Sequence, residues 1–292
     1  VTWSAVASLA LETSTRALDR PLLVGSHVYD PSVMLPLWSN ATGVITDPDI
    51  SGEPAYYAVD RAKFRQTNPD DSATDFWLVY AFNGDFDTFA ILNGSLHLVS
   101  GLTMDIEIAD DGAFTTNTAT IATGVTFTGS EYLGFMNYVR SGSGYVRFHF
   151  SAPSGFTPYL GEAWLGRRRQ LVSAPANGHD INARASTTAR SDNGSTQTVR
   201  ALAVGRRMPD VLIHTNDRNS TLADTDTVRS FWADTKYGAC PFLWCPNPAT
   251  AQDTVYLLRH TNKELDLARI GPLGGRDFGQ QWIEQPPFLG VT

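Results

Sequence analysis

Residues 75–94 read DFWLVYAFNGDFDTFAILNG. The run from Phe76 to Phe82 is continuously apolar and aromatic, and Asn83-Gly84 ends it. Such a run suits a strand buried on both faces and closed by a turn. Phe89-Ala90-Ile91-Leu92 repeats the device and stops at Asn93-Gly94. Downstream, Leu102 to Ile108 alternates apolar and polar residues as a half-buried strand does, and Asp110-Asp111-Gly112 turns the chain. Val125-Thr126-Phe127, Gly134 to Val139 and Tyr145 to Phe150 continue the series, with Ser141-Gly142-Ser143-Gly144 as a tight connection between the last two. Helical periodicity is scarce. Short strands at regular spacing, punctuated by Gly and Asn, predict a β-sandwich of jelly-roll type over residues 35–166. Residues 1–34 are assigned to a lead-in segment, and the stretch 30–57, rich in Pro, Gly, Asp and Ser, reads as irregular.

The texture changes at YLGEAWLGRRRQL, residues 159–171. Tyr159 to Leu165 reads as the last strand of the sandwich with Trp164 in its core. Gly166 is expected to let the chain turn out, and Arg167, Arg168 and Arg169 open a second β-rich domain over residues 167–292. There, Ile181 to Arg190 and Thr196 to Arg207 are polar arms around Asp192-Asn193-Gly194, and Asn-Gly is a strong hairpin signal. The predicted hairpin, residues 181–207, has so little apolar content that it gains stability only by pairing with something else. A helix is expected over residues 224–236, acidic at its start and followed by Gly238. Pro241 to Trp244, Val255 to Leu258 and Leu265 to Ile270 supply further strands. Phe278 to Leu289 reads as an extended segment. The fold class is mainly β, with one helix.

Composition narrows the function classes. The chain of 292 residues has a net charge of −8, unevenly placed. Up to residue 158 there are 17 acids against 7 bases, and beyond it 13 acids against 15 bases. That asymmetry fits two domains doing different things, and the basic half is too weakly basic for general nucleic-acid binding. No window approaches the roughly 18 consecutive apolar residues of a membrane span, so no membrane insertion is expected. The first twenty residues lack the basic-then-apolar order of a secretory signal. Cys240 and Cys245 are too few for a disulfide scaffold, and buried free thiols are expected.

A search for chemistry returns little. The sequence holds no H-E-x-x-H, G-x-S-x-G, phosphate-binding loop or dinucleotide fingerprint. Six histidines are scattered without ligand spacing. Asp105, Glu107, Asp110 and Asp111 offer the oxygen ligands that calcium takes, yet a strand's solvent face and its turn explain all four without an ion. Trp77, Trp164 and Trp244 lie in apolar strand patterns and are expected in the core. Trp38 sits in a loop-like stretch and is the tryptophan expected to be exposed. With Asp110 and Asp111 it forms the candidate carbohydrate contact. The expectation is a protein with no catalytic residues, no cofactor and no bound metal.

The order DFWLVYAFN, FDTFAILNGSL, DIEIADDGAF, YVRFHFSAP and YLGEAWLG resembles the galactose-binding-like β-sandwich of minor tail and tail-tip proteins of long-tailed bacteriophages. The arginine-bearing strand, the hairpin, the helix and ACPFLWCPNP that follow are similar to what succeeds the sandwich in those proteins. The resemblance, over about residues 60–260, implies a structural virion protein of the tail, assembled in the host cytoplasm. Its implied partners are other copies of itself and neighbouring tail proteins, with no active site. Arg167, Arg168, Arg169, Arg184, Arg190, Arg200 and Arg206 are the candidate interface residues, since arginine's planar fork suits ordered contacts between subunits. The alternative is a carbohydrate-binding module or receptor-binding adhesin whose partner is a host-surface glycan. For the triple arginine, a solvated run stands beside pairing with acids across the domain junction or on the next subunit.

Overall fold

The structure is a computed structural model. The structure describes residues 22–41, 43–44, 55–61, 65–69, 71–170, 180–184, 187–190, 196–199, 206–215, 223–245, 255–260, 268–270 and 275–284. In chain order its elements are β1 (Leu22–Val24), β2 (Leu37–Asn40), β3 (Gly43–Val44), β4 (Ala73–Asn83), β5 (Phe86–Leu92), β6 (Thr103–Ala109) and β7 (Ala119–Val125). There follow β8 (Tyr132–Arg140), β9 (Ser143–Phe156), β10 (Glu162–Gly166), β11 (Arg168–Gln170), β12 (Asp180–Arg184), β13 (Thr187–Arg190), β14 (Thr196–Val199) and β15 (Arg206–Thr215). Helix α1 (Ala223–Asp234), β16 (Phe242–Cys245), β17 (Tyr256–His260), β18 (Ala268–Ile270) and β19 (Gly275–Glu284) complete them.

Two sheets make the sandwich. One has the order β3-β2-β4-β9-β6-β7 and the other β10-β5-β8, with antiparallel neighbours throughout. Successive side chains on a strand point to opposite faces, so β4 turns Phe76, Leu78, Tyr80 and Phe82 inward, and β9 turns in Val146, Phe148 and Phe150. Met104, Ile106 and Ile108 of β6 join them, against Phe89 and Ile91 of β5 and Ala163 and Leu165 of β10. The fold is mainly β, with a β-sandwich in its first half.

The smaller sheet is buried on both faces. All seven residues of β5 and all five of β10 are buried. Their other face, with Ala90, Leu92, Leu133, Phe135 and Trp164, packs against Leu22, Val24, Leu243, Cys245, Val255 and Leu257. Those partners, with Val255 just ahead of β17, belong to a third layer, the sheet β11-β1-β16-β17-β19-β15-β12, in which β18 also pairs with β19. The second half of the chain therefore shares an apolar core with the sandwich. Leu22–Val24, read in sequence as lead-in, is an inner strand of this third layer, held between β11 and β16. Its three residues are too short a run for periodicity to register, and only their non-local partners make them a strand.

The turns also differ from a simple meander. Asn83-Gly84 joins β4 to β5, and Ser141-Gly142 joins β8 to β9; each carries the chain from one sheet to the other. Gly84 has φ +141 and donates its N–H to the Gly142 carbonyl at 2.9 Å, so the two crossings brace each other. Gly166 closes β10, opposite Thr88, instead of turning the chain out. A Cβ there would lie 2.8 Å from the Gly25 carbonyl and 2.9 Å from the Trp164 indole nitrogen. Close approach of β10 to residues 24–25 is what requires glycine at this position.

The hairpin exists in two pieces. Strand β12 pairs with β15, and β13 pairs with β14, Arg190 opposite Thr196. The partner for its base is in the same chain, because β15 continues to Thr215 and pairs with β19. Helix α1 ends at Asp234.

Candidate functional site

The sheet-switching turns gather at one end of the sandwich, and a strap from Gly25 to Val33 crosses the same end. Its backbone is tied down: Val28 donates to the Leu165 carbonyl at 3.1 Å, Asp30 to Ala81 at 3.0 Å, and Asn83 donates back to Val28 at 2.9 Å. Beside it lies a cleft of about 540 Å³ lined by Val33, Phe82, Asp110, Arg140 and Ser141 to Tyr145. Small-molecule clefts fall at about 300–1,000 Å³, so this one is of ligand size.

Each wall follows from local sequence. Asp110 ends the alternating run of β6, and its carboxylate accepts a hydrogen bond from the Asn117 amide at 2.7 Å while lying 3.9 Å from the Arg140 guanidinium. Arg140 ends β8 with its side chain 2% exposed; it donates to the carbonyls of Ser141 and Ser143 and lies over the Phe82 ring. Burial draws Arg140 below the ordinary arginine value, and Asp110 opposes that shift. The loop backbone at Gly112 rests against the ring of Tyr145, 3.2 Å from Cε1 to the position a Cβ would take. The half-buried Tyr145 ring, the carboxylate of Asp110 and the exposed Ser141 and Ser143 thus share one cleft.

Of the residues expected to contact carbohydrate, only Asp110 lines this cleft. Asp111 closes its own loop: it accepts the N–H groups of Thr115 and Thr116 at 2.9 Å each and the Thr115 hydroxyl at 2.6 Å. Those hydrogen bonds, the Thr115 hydroxyl foremost, hold its carboxyl below the usual range. Trp38 is not exposed. It sits in β2 at 3% exposure against Phe76 and Phe150, and its indole N–H donates to Thr67 Oγ1 at 3.0 Å. The prolines and glycines around it suggested a loop, but pairing with β4 places it in the core. Trp77 departs the other way: it lies partly exposed on the outer face of the larger sheet, stacked on His149 at 4.8 Å. Arg140 and Tyr145 were missed, although they flank the glycine-rich turn on either side, the position where a sheet-switching turn presents side chains.

The triple arginine is used within the chain. Asp87, on buried β5, accepts the backbone N–H of Arg168 at 2.6 Å and lies 3.7 Å from Arg167 Nε. Burial raises the Asp87 pKa, and the two arginines pull it back. The Arg168 guanidinium lies over Phe135 at 4.9 Å. Arg169 grips Asp234, the last residue of α1, through Nε at 2.7 Å and Nη2 at 3.2 Å. The segment therefore pins the sandwich to the helix. Arg184 and Arg206 stand opposite each other in the β12–β15 pair and Arg190 ends β13, whereas Arg200 lies outside the described residues.

The acidic stretch is engaged by protein donors. Asp105 accepts the Gly124 N–H at 2.7 Å, and Glu107 receives Arg147 Nε at 2.8 Å. Among the described residues, no group of three His, Cys, Asp or Glu is placed to hold a metal ion. Both cysteines are free thiols, Cys245 buried and Cys240 partly so. Among the described residues no helix is long and apolar enough to cross a membrane.

No family model and no curated protein matches the chain. Among solved structures it is similar to chitosan-binding module 1 of a Paenibacillus chitosanase/glucanase, at 18% identity over 48% of this chain and 96% of that one, TM-score 0.35. It is also similar to a Clostridium perfringens domain solved in complex with GlcNAc-alpha-1,4-galactose, at 11% identity over 56% and 97% of the two chains, TM-score 0.30. A Streptococcus pneumoniae fucose-binding module matches at 16% identity over 52% and 96%, TM-score 0.29. No residue role is transferred from likeness at this level.

Proposed function

We propose that the chain is a carbohydrate-binding protein that holds a neutral saccharide in the cleft between Asp110 and Tyr145 and catalyses no reaction on it. One observation carries this reading: an aromatic residue, a partly exposed acid and two exposed serines line one cleft of ligand size whose walls are braced turns. A pyranose presents an apolar C–H face and a rim of hydroxyls. The half-exposed ring of Tyr145 suits the face. Asp110, already fixed by Asn117 and Arg140, keeps lone pairs for the hydroxyls. Preformed turns lower the ordering cost of binding. A glycan array probed with the full chain tests it. Reproducible binding that Asp110→Asn weakens is the expected result, and silence across neutral glycans contradicts it.

A second reading rests on the β13–β14 arm, which among the described residues pairs with no other strand. An isolated two-stranded ribbon is marginal in water, and its open edges suit pairing with another copy. Together with the sequence resemblance, this supports a structural subunit of a phage tail, located in the virion, whose glycan cleft would face a host surface.

A further inference from the structure

We infer that a second cleft, between the strap, the Asn83–Asp85 turn and the end of α1, binds a carboxylate-bearing saccharide of the uronic acid type. This cleft, of about 520 Å³, lies apart from the Asp110–Tyr145 cleft and brings together Arg61, Arg167 and Lys236 with Asp30, Asp85 and Asp234. By residue count its charge cancels, but the acids are not equally available. Asp234 is forked by Arg169, and Asp30 accepts both the N–H and the hydroxyl of Ser32, at 3.0 and 2.6 Å. Arg167 lies 3.7 Å from Asp87, but the other two cations are less committed. Arg61 donates to the His27 carbonyl at 3.4 Å and to Cys240 Sγ at 3.6 Å, and pairs with no carboxylate among the described residues. Lys236 is exposed at the turn after α1 and likewise pairs with none among the described residues. Two unneutralised cations thus face one uncommitted acid, Asp85.

That charge also reaches the interior. Buried His27 is lowered to about 3, first by burial and then by Arg61. Both cations are also held on left-handed backbone, φ +64 at Arg61 and +53 at Lys236, a conformation that persists for such residues only where the surroundings impose it. The cleft is larger than a bare anion needs. The Arg61 fork and Lys236 would take the carboxylate, while Asn83 and Asp85 would take ring hydroxyls. Because the strap, the sandwich turn and the helix end all contribute, the bound saccharide would tie together both halves of the chain and raise its melting temperature.

The experiment is calorimetric titration and thermal melting of the full chain with D-glucuronate, D-glucose and inorganic phosphate. In a Tyr145→Ala background, which silences the other cleft, glucuronate should bind and raise Tm, glucose should do neither, and phosphate should bind more weakly than glucuronate. Lys236→Gln and Arg61→Gln should each weaken glucuronate binding about tenfold or more, whereas Tyr145→Ala should leave it unchanged. Lys236 is exposed, so its variant decides the matter if Arg61→Gln does not fold. Glucuronate affinity unmoved by Lys236→Gln overturns the assignment, as does binding lost in Tyr145→Ala instead. Equal affinity for phosphate and glucuronate overturns the saccharide, leaving an anion site only. Loss of glucuronate binding in Tyr145→Ala would bear on the other cleft, whose neutral-glycan reading the remaining outcomes leave unaffected.

Discussion

His27 shows how one residue couples the strap to the interior. Its ring stacks on Trp164 at 5.0 Å and meets Tyr80 edge-on at 5.6 Å, and Nδ1 lies 3.2 Å from the backbone N of Leu165. Its pKa falls from 6.5 to about 3 on folding. Between those values the unfolded chain binds a proton that the folded chain refuses, so stability is lost as pH falls below about 6.5. The loss is about 1.4 kcal/mol per pH unit, or about 2 kcal/mol by pH 5. Asp87 acts with the opposite sign: burial raises its pKa, so acidification near the carboxylate range favours the fold. Urea melts from pH 7.5 to 5 should therefore show a slope that His27→Gln flattens, and an equally steep slope in that variant would refute the assignment. At Gly166 the quantity at stake is space. An added methyl meets the Gly25 carbonyl at 2.8 Å, so Gly166→Ala should destabilise the protein by about 1–3 kcal/mol in the same melts.

Among elements, those whose own residues carry a period were legible and those defined by distant partners were not. Phe76 to Phe82, Leu102 to Ile108 and Tyr145 to Phe150 were read from their patterns and are β4, β6 and β9. Helix α1 was read from its acids and Gly238 to within two residues of its end. Strand β7 was placed too late, since Ala119–Val125 is a threonine- and alanine-rich stretch whose burial is set by β6. That Asn83-Gly84 changes sheets instead of closing a hairpin depends on non-local pairing, which local turn chemistry does not encode. The site suffered in the same way: Asp110 was legible as a turn acid, whereas Arg140 and Tyr145 gained meaning only when two turns met. The hairpin reading is sharpened too. Strands β12 and β15 belong to the third layer, so a deletion that tests assembly should span residues 187–199 and spare them. If the arm mediates self-association, that deletion should leave a folded chain of lower mass by light scattering coupled to size exclusion. An unchanged mass would remove the arm from the assembly account.

At the scale of the whole molecule, the β10-β5-β8 sheet is a middle layer with an apolar core on either side. Two domains were expected at a boundary after residue 166, yet Trp164 packs with Leu22 and Leu243 and donates its indole N–H to the Gly25 carbonyl at 3.2 Å. The charge asymmetry between the halves is used at one contact: Arg167 of the second half reaches Asp87 on the sandwich. A shared core predicts one calorimetric unfolding transition for the full chain, and an isolated 35–166 fragment that aggregates because Leu133, Phe135 and Trp164 lose their cover. Two well-separated transitions would contradict this. Binding must for the same reason be measured on the full chain. The central claim, a saccharide cleft built on braced sheet-switching turns, is tested most directly by isothermal titration of the full chain and of Tyr145→Ala with the neutral saccharide that binds best. We predict saturable binding that Tyr145→Ala weakens about tenfold or more while the melting temperature holds. Equal affinity in the two proteins, or no neutral saccharide that binds at all, would contradict it.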